Sequence, residues 1–250
     1  MYDNASEMRA ALYYAPPRSD ALTQAAASWL GRDAWGGSVA PRGEVTGFDP
    51  GLLERLTAEP RRYGFHATLK PPFRLADGLA LPELRAALEA FTATTPAFAI
   101  PALALRRIGA FFALVPEGEV PALEALAAEV VRRFDRFRAP PTVDEIARRR
   151  PERLSLRQRE HLAAWGYPYV FDEFRFHMTL TGPVEEKDRG RVERTLDEFF
   201  TPLLDDAVEV ANLALFVEPE KGAPFEIHSL HPLTGGKVAS ARASRAVGRP

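Results

Sequence analysis

The 250-residue sequence carries 32 Lys and Arg against 34 Asp and Glu, and 46% of it is hydrophobic. That is the balance of a globular chain, not of a disordered or strongly basic nucleic-acid-binding one. It has no cysteine, which excludes disulfides, reactive thiols and thiolate metal ligands. No apolar run reaches the ~20 residues of a membrane helix, and Met1 to Arg9 lacks a signal-peptide pattern. A cytoplasmic location, away from membranes, is therefore expected.

Arg9 to Ala15 is short, apolar and aromatic and stops at Pro16-Pro17, which predicts a buried strand. Ser19 is placed to cap a helix carrying Leu22, Ala26, Trp29 and Leu30, with Gly31 as its stop. A Gly/Pro-rich loop, Trp35 to Pro50, leads to a short helix over Leu52 to Glu59. The stretch Arg61 to Phe73, R-R-Y-G-F-H-A-T-L-K-P-P-F, then reads as a strand. A helix with Pro82 in its first turn follows, striped by Leu84, Leu88 and Phe91. Leu103 to Val115 holds two strand segments broken near Gly109. Pro121 opens another helix, carrying Leu123, Leu126, Val130, Phe134 and Phe137.

Residues 138–170 break the pattern. They are basic around Arg148, Arg149, Arg150 and Arg153 and contain a capping box, Ser155 with Gln158, ending at Trp165-Gly166. The segment reads as an insertion beside a site, a wall or lid, or as a plain surface helical hairpin. The order then resumes: a strand over Arg175 to Thr181, a helix from about Glu185 to Phe200, and strands at Val208 to Val217 and Phe225 to Leu230. The end, 236–250, is Ala/Ser/Gly/Arg-rich and reads as a flexible tail. The expected fold is α+β: a single bilobal, duplicated domain over 1–235, with lobes at 9–135 and 170–233. Two small, mostly antiparallel sheets would face a central cleft, with helices outside.

The two lobes each carry one copy of an aromatic-His-x-Thr-Leu strand, at Phe65 to Leu69 and Phe176 to Leu180, with the histidines 111 positions apart. Side chains alternate along a strand, so His66 and Thr68 share one face and Phe65, Ala67 and Leu69 the other. The second copy repeats this with His177 and Thr179 opposite Phe176, Met178 and Leu180. A lone His-x-Thr strand is usually structural. Two copies in equivalent settings point to a paired imidazole site. Lys70 and Thr181, four residues after each histidine, and Arg175, two before His177, continue the polar faces as phosphate contacts or as solvated strand ends. Tyr63 falls on the other parity, as core or rim.

These motifs, together with L-Y-Y-A-P-P near the start and W-G-Y-P-Y before the second strand, resemble the two-histidine (2H) phosphoesterase superfamily. The likeness is to the branch encoded with bacterial phosphonate-degradation genes, and it runs from about Arg9 to Leu233. It implies His66 and His177 as the catalytic pair, with Thr68 and Thr179 binding phosphate, in a metal-independent cyclic phosphodiesterase, a phosphoric diester hydrolase. One imidazole would act as base and the other as acid, while strand-borne hydroxyls meet charge on phosphate oxygens. The implied substrate is a small phosphorylated sugar or nucleotide, a ribose cyclic phosphate first. An RNA end bearing a 2′,3′-cyclic phosphate is the enzymatic alternative, and a binding module without turnover is the non-enzymatic one. An acidic chain disfavours long nucleic acid.

Other residues carry less. His161, in an Arg/Gln/Glu-rich helix, reads as exposed, and His228 and His231 as structural or at a cleft rim. No histidine–carboxylate motif of metal-binding spacing is present, and no P-loop or Rossmann glycine pattern. Neither metal nor cofactor is expected.

Overall fold

The computed structural model describes residues 8–36 and 48–236. Most of the predicted Trp35 to Pro50 loop and nearly all of the C-terminal tail lie outside the described residues. The strands are β1 (Arg9–Tyr14), β2 (Ala67–Phe73), β3 (Phe98–Ile100), β4 (Leu103–Ile108), β5 (Phe111–Pro116), β6 (Met178–Thr179), β7 (Val208–Val210), β8 (Asn212–Glu218) and β9 (Glu226–Pro232). The α-helices are α1 (Ala21–Leu30), α2 (Pro50–Arg61), α3 (Leu81–Thr92), α4 (Pro121–Phe134), α5 (Val143–Arg148), α6 (Leu156–Trp165) and α7 (Arg189–Phe200).

The class is α+β, but the expected pair of facing sheets is not what forms. Seven strands make one antiparallel sheet in the order β4-β5-β6-β2-β1-β8-β9, and β3 pairs with β7 in a separate ribbon. The two motif strands are neighbours: β2 and β6 pair through Ala67 and Met178. Joining them satisfies the backbone groups that each half-sheet would otherwise leave open at an edge.

Strand β1 shows how the layers arise. It lies between β2 and β8 and is buried on both faces, hence its continuous apolar run. Ala10, Leu12 and Tyr14 join the main core with the apolar stripes of α1, α2, α3, α4 and α7. Ala11, Tyr13 and Ala15 face the other way, into a smaller cluster with Ala214, Phe216 and Phe225. Phe65, Ala67 and Leu69 and, from the second copy, Phe176, Met178 and Leu180 all belong to the main core. That leaves the His-x-Thr face on the side where Tyr13 lies.

Local signals account for the element ends. Gly31 closes α1 in the left-handed conformation at φ +70°, while its N-cap is Asp20, accepting from the Thr23 N–H, and not Ser19. Gly109, at φ +58°, makes the turn between β4 and β5. Ser155 and Gln158 form the capping box of α6. The second motif strand is shorter than expected, reduced to Met178–Thr179. His161 is not exposed: it keeps 4% of its surface, its Nε2 lying 2.8 Å from an Asp172 carboxylate oxygen and its ring against Phe171.

Candidate active site

The first motif is set by a tight turn. Gly64 has φ +73°, and a Cβ there would sit 2.6 Å from that of Ala34, so glycine is required. The Gly64 carbonyl accepts from His66 Nδ1 at 2.9 Å. In the second motif the Arg175 carbonyl accepts from His177 Nδ1 at 2.7 Å. A carbonyl only accepts, so Nδ1 carries the hydrogen in both rings and Nε2 holds the lone pair. The two histidines thus share one arrangement, each tied to the carbonyl two residues upstream.

Registry brings the motifs together. With Ala67 opposite Met178, continuation of the antiparallel pairing sets His66 across from Thr179 and Thr68 across from His177. Thr68 Oγ lies 3.3 Å from His66 Nε2 and donates to its lone pair. Burial lowers His66 from its ordinary 6.5 to about 4; the Gly64 carbonyl opposes this, and charge on His177 lowers it further. His66 is therefore neutral near pH 7 and able to accept a proton, and the two rings are close enough to feel each other's charge.

A cavity of about 470 Å³ opens over this face, lined by Tyr13, His66, Thr68 and Thr179 together with Phe111 and Tyr167. His177, partly buried, is not among the residues lining the cavity, but its ring is 5.9 Å from that of Phe111, which is. Tyr13 stacks on His66 with ring centres 4.0 Å apart and planes at 26°. Tyr63 is at the rim, 5.7 Å from His66 and stacked on Phe225. Tyr167 and Arg149 come from the 138–170 segment, which forms a wall here. Its helices α5 and α6 add nothing to the main core.

The other expected contacts are arranged differently. Lys70 does not line the cavity. Tyr13 pairs with Thr68 and Leu12 with Lys70, a bulge that spends two residues of β2 on one of β1. The bulge turns Lys70 to the core side, where it is 2% exposed and bonded to Asp135 at 3.1 Å. Thr181 contributes to the cavity wall, but its Oγ already accepts the Phe112 N–H at 3.0 Å. Arg175 is exposed and serves the histidine through its carbonyl. His228 and His231 lie on β9, outside the cavity's lining. Tyr13, Tyr167, Arg9 and Arg62 also line the cavity, a placement that the alternation within one strand does not reveal.

A family model described as a protein of unknown function (DUF1045) matches residues 68–226. Two curated relatives, from Janthinobacterium sp. (strain Marseille) and Laribacter hongkongensis (strain HLHK9), both carry the name ribose 1,5-bisphosphate phosphokinase PhnN. The first is 37% identical over 94% of this chain and 53% of its own length, the second 36% identical over 88% and 50%. The chain thus spans about half the length of the curated relatives it matches. The crystal structure of the conserved protein of unknown function ATU0111 from Agrobacterium tumefaciens str. C58 covers 90% of this chain and 88% of its own. Its TM-score is 0.43 at 12% identity, too weak a likeness to place the fold. The names correct one expectation: a phosphokinase is a phosphotransferase, so the hydrolase class inferred from the sequence is not the class these relatives carry.

Proposed function

This chain belongs to the DUF1045 family, whose model spans residues 68–226, and we propose that its cavity binds a small phosphorylated ribose in phosphonate metabolism. There His66 and His177 move protons during transfer of a phosphoryl group between oxygen atoms. The ribose phosphate comes from the name of the two relatives, which belongs to proteins about twice as long. The observation that carries the chemistry is the mirrored tethering of the two imidazoles, each donating Nδ1–H to the carbonyl two residues before it. The same mirroring supports reading 9–135 and 170–233 as related lobes, and the likeness to the two-histidine superfamily.

In this reading the acceptor oxygen loses its proton to Nε2 of neutral His66 as its bond to phosphorus forms. The bond from phosphorus to the leaving oxygen breaks, and that oxygen takes its proton from Nε2 of His177, the acid of the pair. Substrate takes the place of the Thr68 hydroxyl at His66 Nε2, and Thr68 then turns to join Thr179 in donating to the non-bridging oxygens. The neutrality of His66 assigns it the acceptor's part.

Phosphorus NMR of the purified chain with ribose 5-phosphate and ribose 1,5-bisphosphate, each with and without ATP and magnesium, tests this. New phosphorus resonances should appear with time. His66→Ala and His177→Ala should each slow their appearance by about 10²–10⁴-fold, and the double variant by less than the product of the two. Undiminished turnover in His66→Ala would remove the reading.

A further inference from the structure

A second cavity, of about 660 Å³, adjoins the first and shares with it Arg9, Arg62, Tyr63, Pro72 and Arg149. The charges at this junction do not balance. Arg9 and Arg62 both bond the same carboxylate, Glu218, one on each oxygen. Arg149 is exposed, with its guanidinium 4.9 Å from the Tyr167 ring and no carboxylate partner among the described residues. Three guanidinium groups therefore line the junction, and only two of them share its one buried carboxylate. Arg62 Nε is buried without any hydrogen-bond partner, a donor left over by the fold.

The surroundings do not cancel this excess. In the second cavity Arg74 is paired with Glu145 at 3.4 Å, and Arg138 with Asp135 at 2.8 Å. Asp144 lines that cavity too, together with Arg148 and Lys221. Glu59 shares the first cavity with these arginines, but among the described residues it forms no ion pair with Arg9, Arg62 or Arg149. Guanidinium groups with spare N–H donors beside a cleft are suited to the oxygens of a phosphate monoester.

We propose that the Arg9–Arg62–Arg149 junction is an anion subsite taking a second phosphate group, so that the site selects sugars with two phosphates over those with one. The proposal rests on the reading that the first phosphate lies at His66 and His177. Arg9 and Arg62, pinned by Glu218, supply fixed donors, and Arg149, on the wall segment, adds a third guanidinium to the same junction.

Calorimetric titration of the full chain with ribose 1,5-bisphosphate and ribose 5-phosphate tests the subsite, for the wild type, Arg149→Gln, Arg149→Lys and His66→Ala. The wild type should prefer the bisphosphate by about tenfold or more. Arg149→Gln should lose most of that preference while retaining the wild-type circular dichroism, since Arg149 belongs to no core contact. Arg149→Lys should keep part of it. The preference should also shrink as KCl is raised. Equal binding of the two sugars by the wild type, or an undiminished preference in Arg149→Gln, would overturn the subsite. His66→Ala separates the two readings: unchanged turnover there removes the histidine chemistry, whereas the Arg149 comparison still decides the subsite.

Discussion

The ring of Tyr13 lies 4.0 Å from that of His66, nearly parallel to it, and Tyr13 is 1% exposed. The imidazole is therefore placed by an aromatic floor as much as by its own backbone. Removing that floor as Tyr13→Ala should cost about 3–5 kcal/mol, as for other buried aromatics, and release the orientation of His66. Tyr13→Phe keeps the ring and should stay within about 1 kcal/mol of wild type. Urea unfolding gives the stabilities, and the carbon-bound proton resonances of His66 report the ring's surroundings. A His66 resonance unmoved in Tyr13→Ala would mean that the stack does not hold the ring.

Proton uptake by His66 sets an acid limit. Its folded value of about 4 lies below the ordinary 6.5, so the unfolded chain binds the proton more readily. This group's contribution to stability is complete above about pH 6.5 and is lost as pH falls from there to about 4. An NMR titration should give a His66 midpoint near 4, and His177→Ala should raise it, since charge on His177 is one of its causes. His66→Gln should flatten the stability profile across the same window. A midpoint near 6.5 in the wild type would contradict the burial argument.

Glu218 is fully buried between two arginines, and Gly222 N–H also donates to it at 2.9 Å. Burial would raise its carboxyl, but Arg9, the Gly222 N–H and Arg62 hold it below its ordinary value. Breaking a buried pair from one side costs about 3–5 kcal/mol. Glu218→Gln should cost less than that, because the arginine side chains keep 22% and 35% exposure. Denaturant unfolding measures the loss, and a loss below about 0.5 kcal/mol would show that the pair contributes no more than a surface bridge.

Lys70 should behave as a structural residue. Lys70→Met leaves Asp135 with both of its bonds to Arg138, at 2.8 and 3.1 Å. The expected cost is about 1 kcal/mol, or roughly 2–4 °C in Tm, with sugar-phosphate affinity within about twofold of wild type. A tenfold loss of affinity at unchanged Tm would return Lys70 to the site.

How far the sequence could be read depended on which partner each residue needed. Alternation along the motif strands assigned Phe65, Ala67, Leu69, Met178 and Leu180 to the core, because parity is a property of one strand alone. Lys70 lies on the core side because parity is reset by the bulge against Leu12 and Tyr13, a feature of two strands. His161 reads as exposed from its polar neighbours, yet its partner Asp172 comes from beyond the end of α6. The union of both halves in one sheet required the pairing of Ala67 with Met178. Tyr13 was legible as buried, but the second tyrosine of the doublet, Tyr14, points to the opposite core. Only the strand order reveals which of the two meets a histidine.

That strand order also governs how the protein is made. β2 must wait for β6, 111 positions later, and β1 for β8, where Ala10 pairs with Val217. At translation rates of about 5–20 residues per second, the first histidine strand is born roughly 6–22 s before its neighbour. Through that interval its far edge is unpaired and open to strands of other nascent chains. Pairings this distant also make for slow folding. Yield of native protein should therefore respond to synthesis rate and chaperone supply, rising when expression is slowed and cooled.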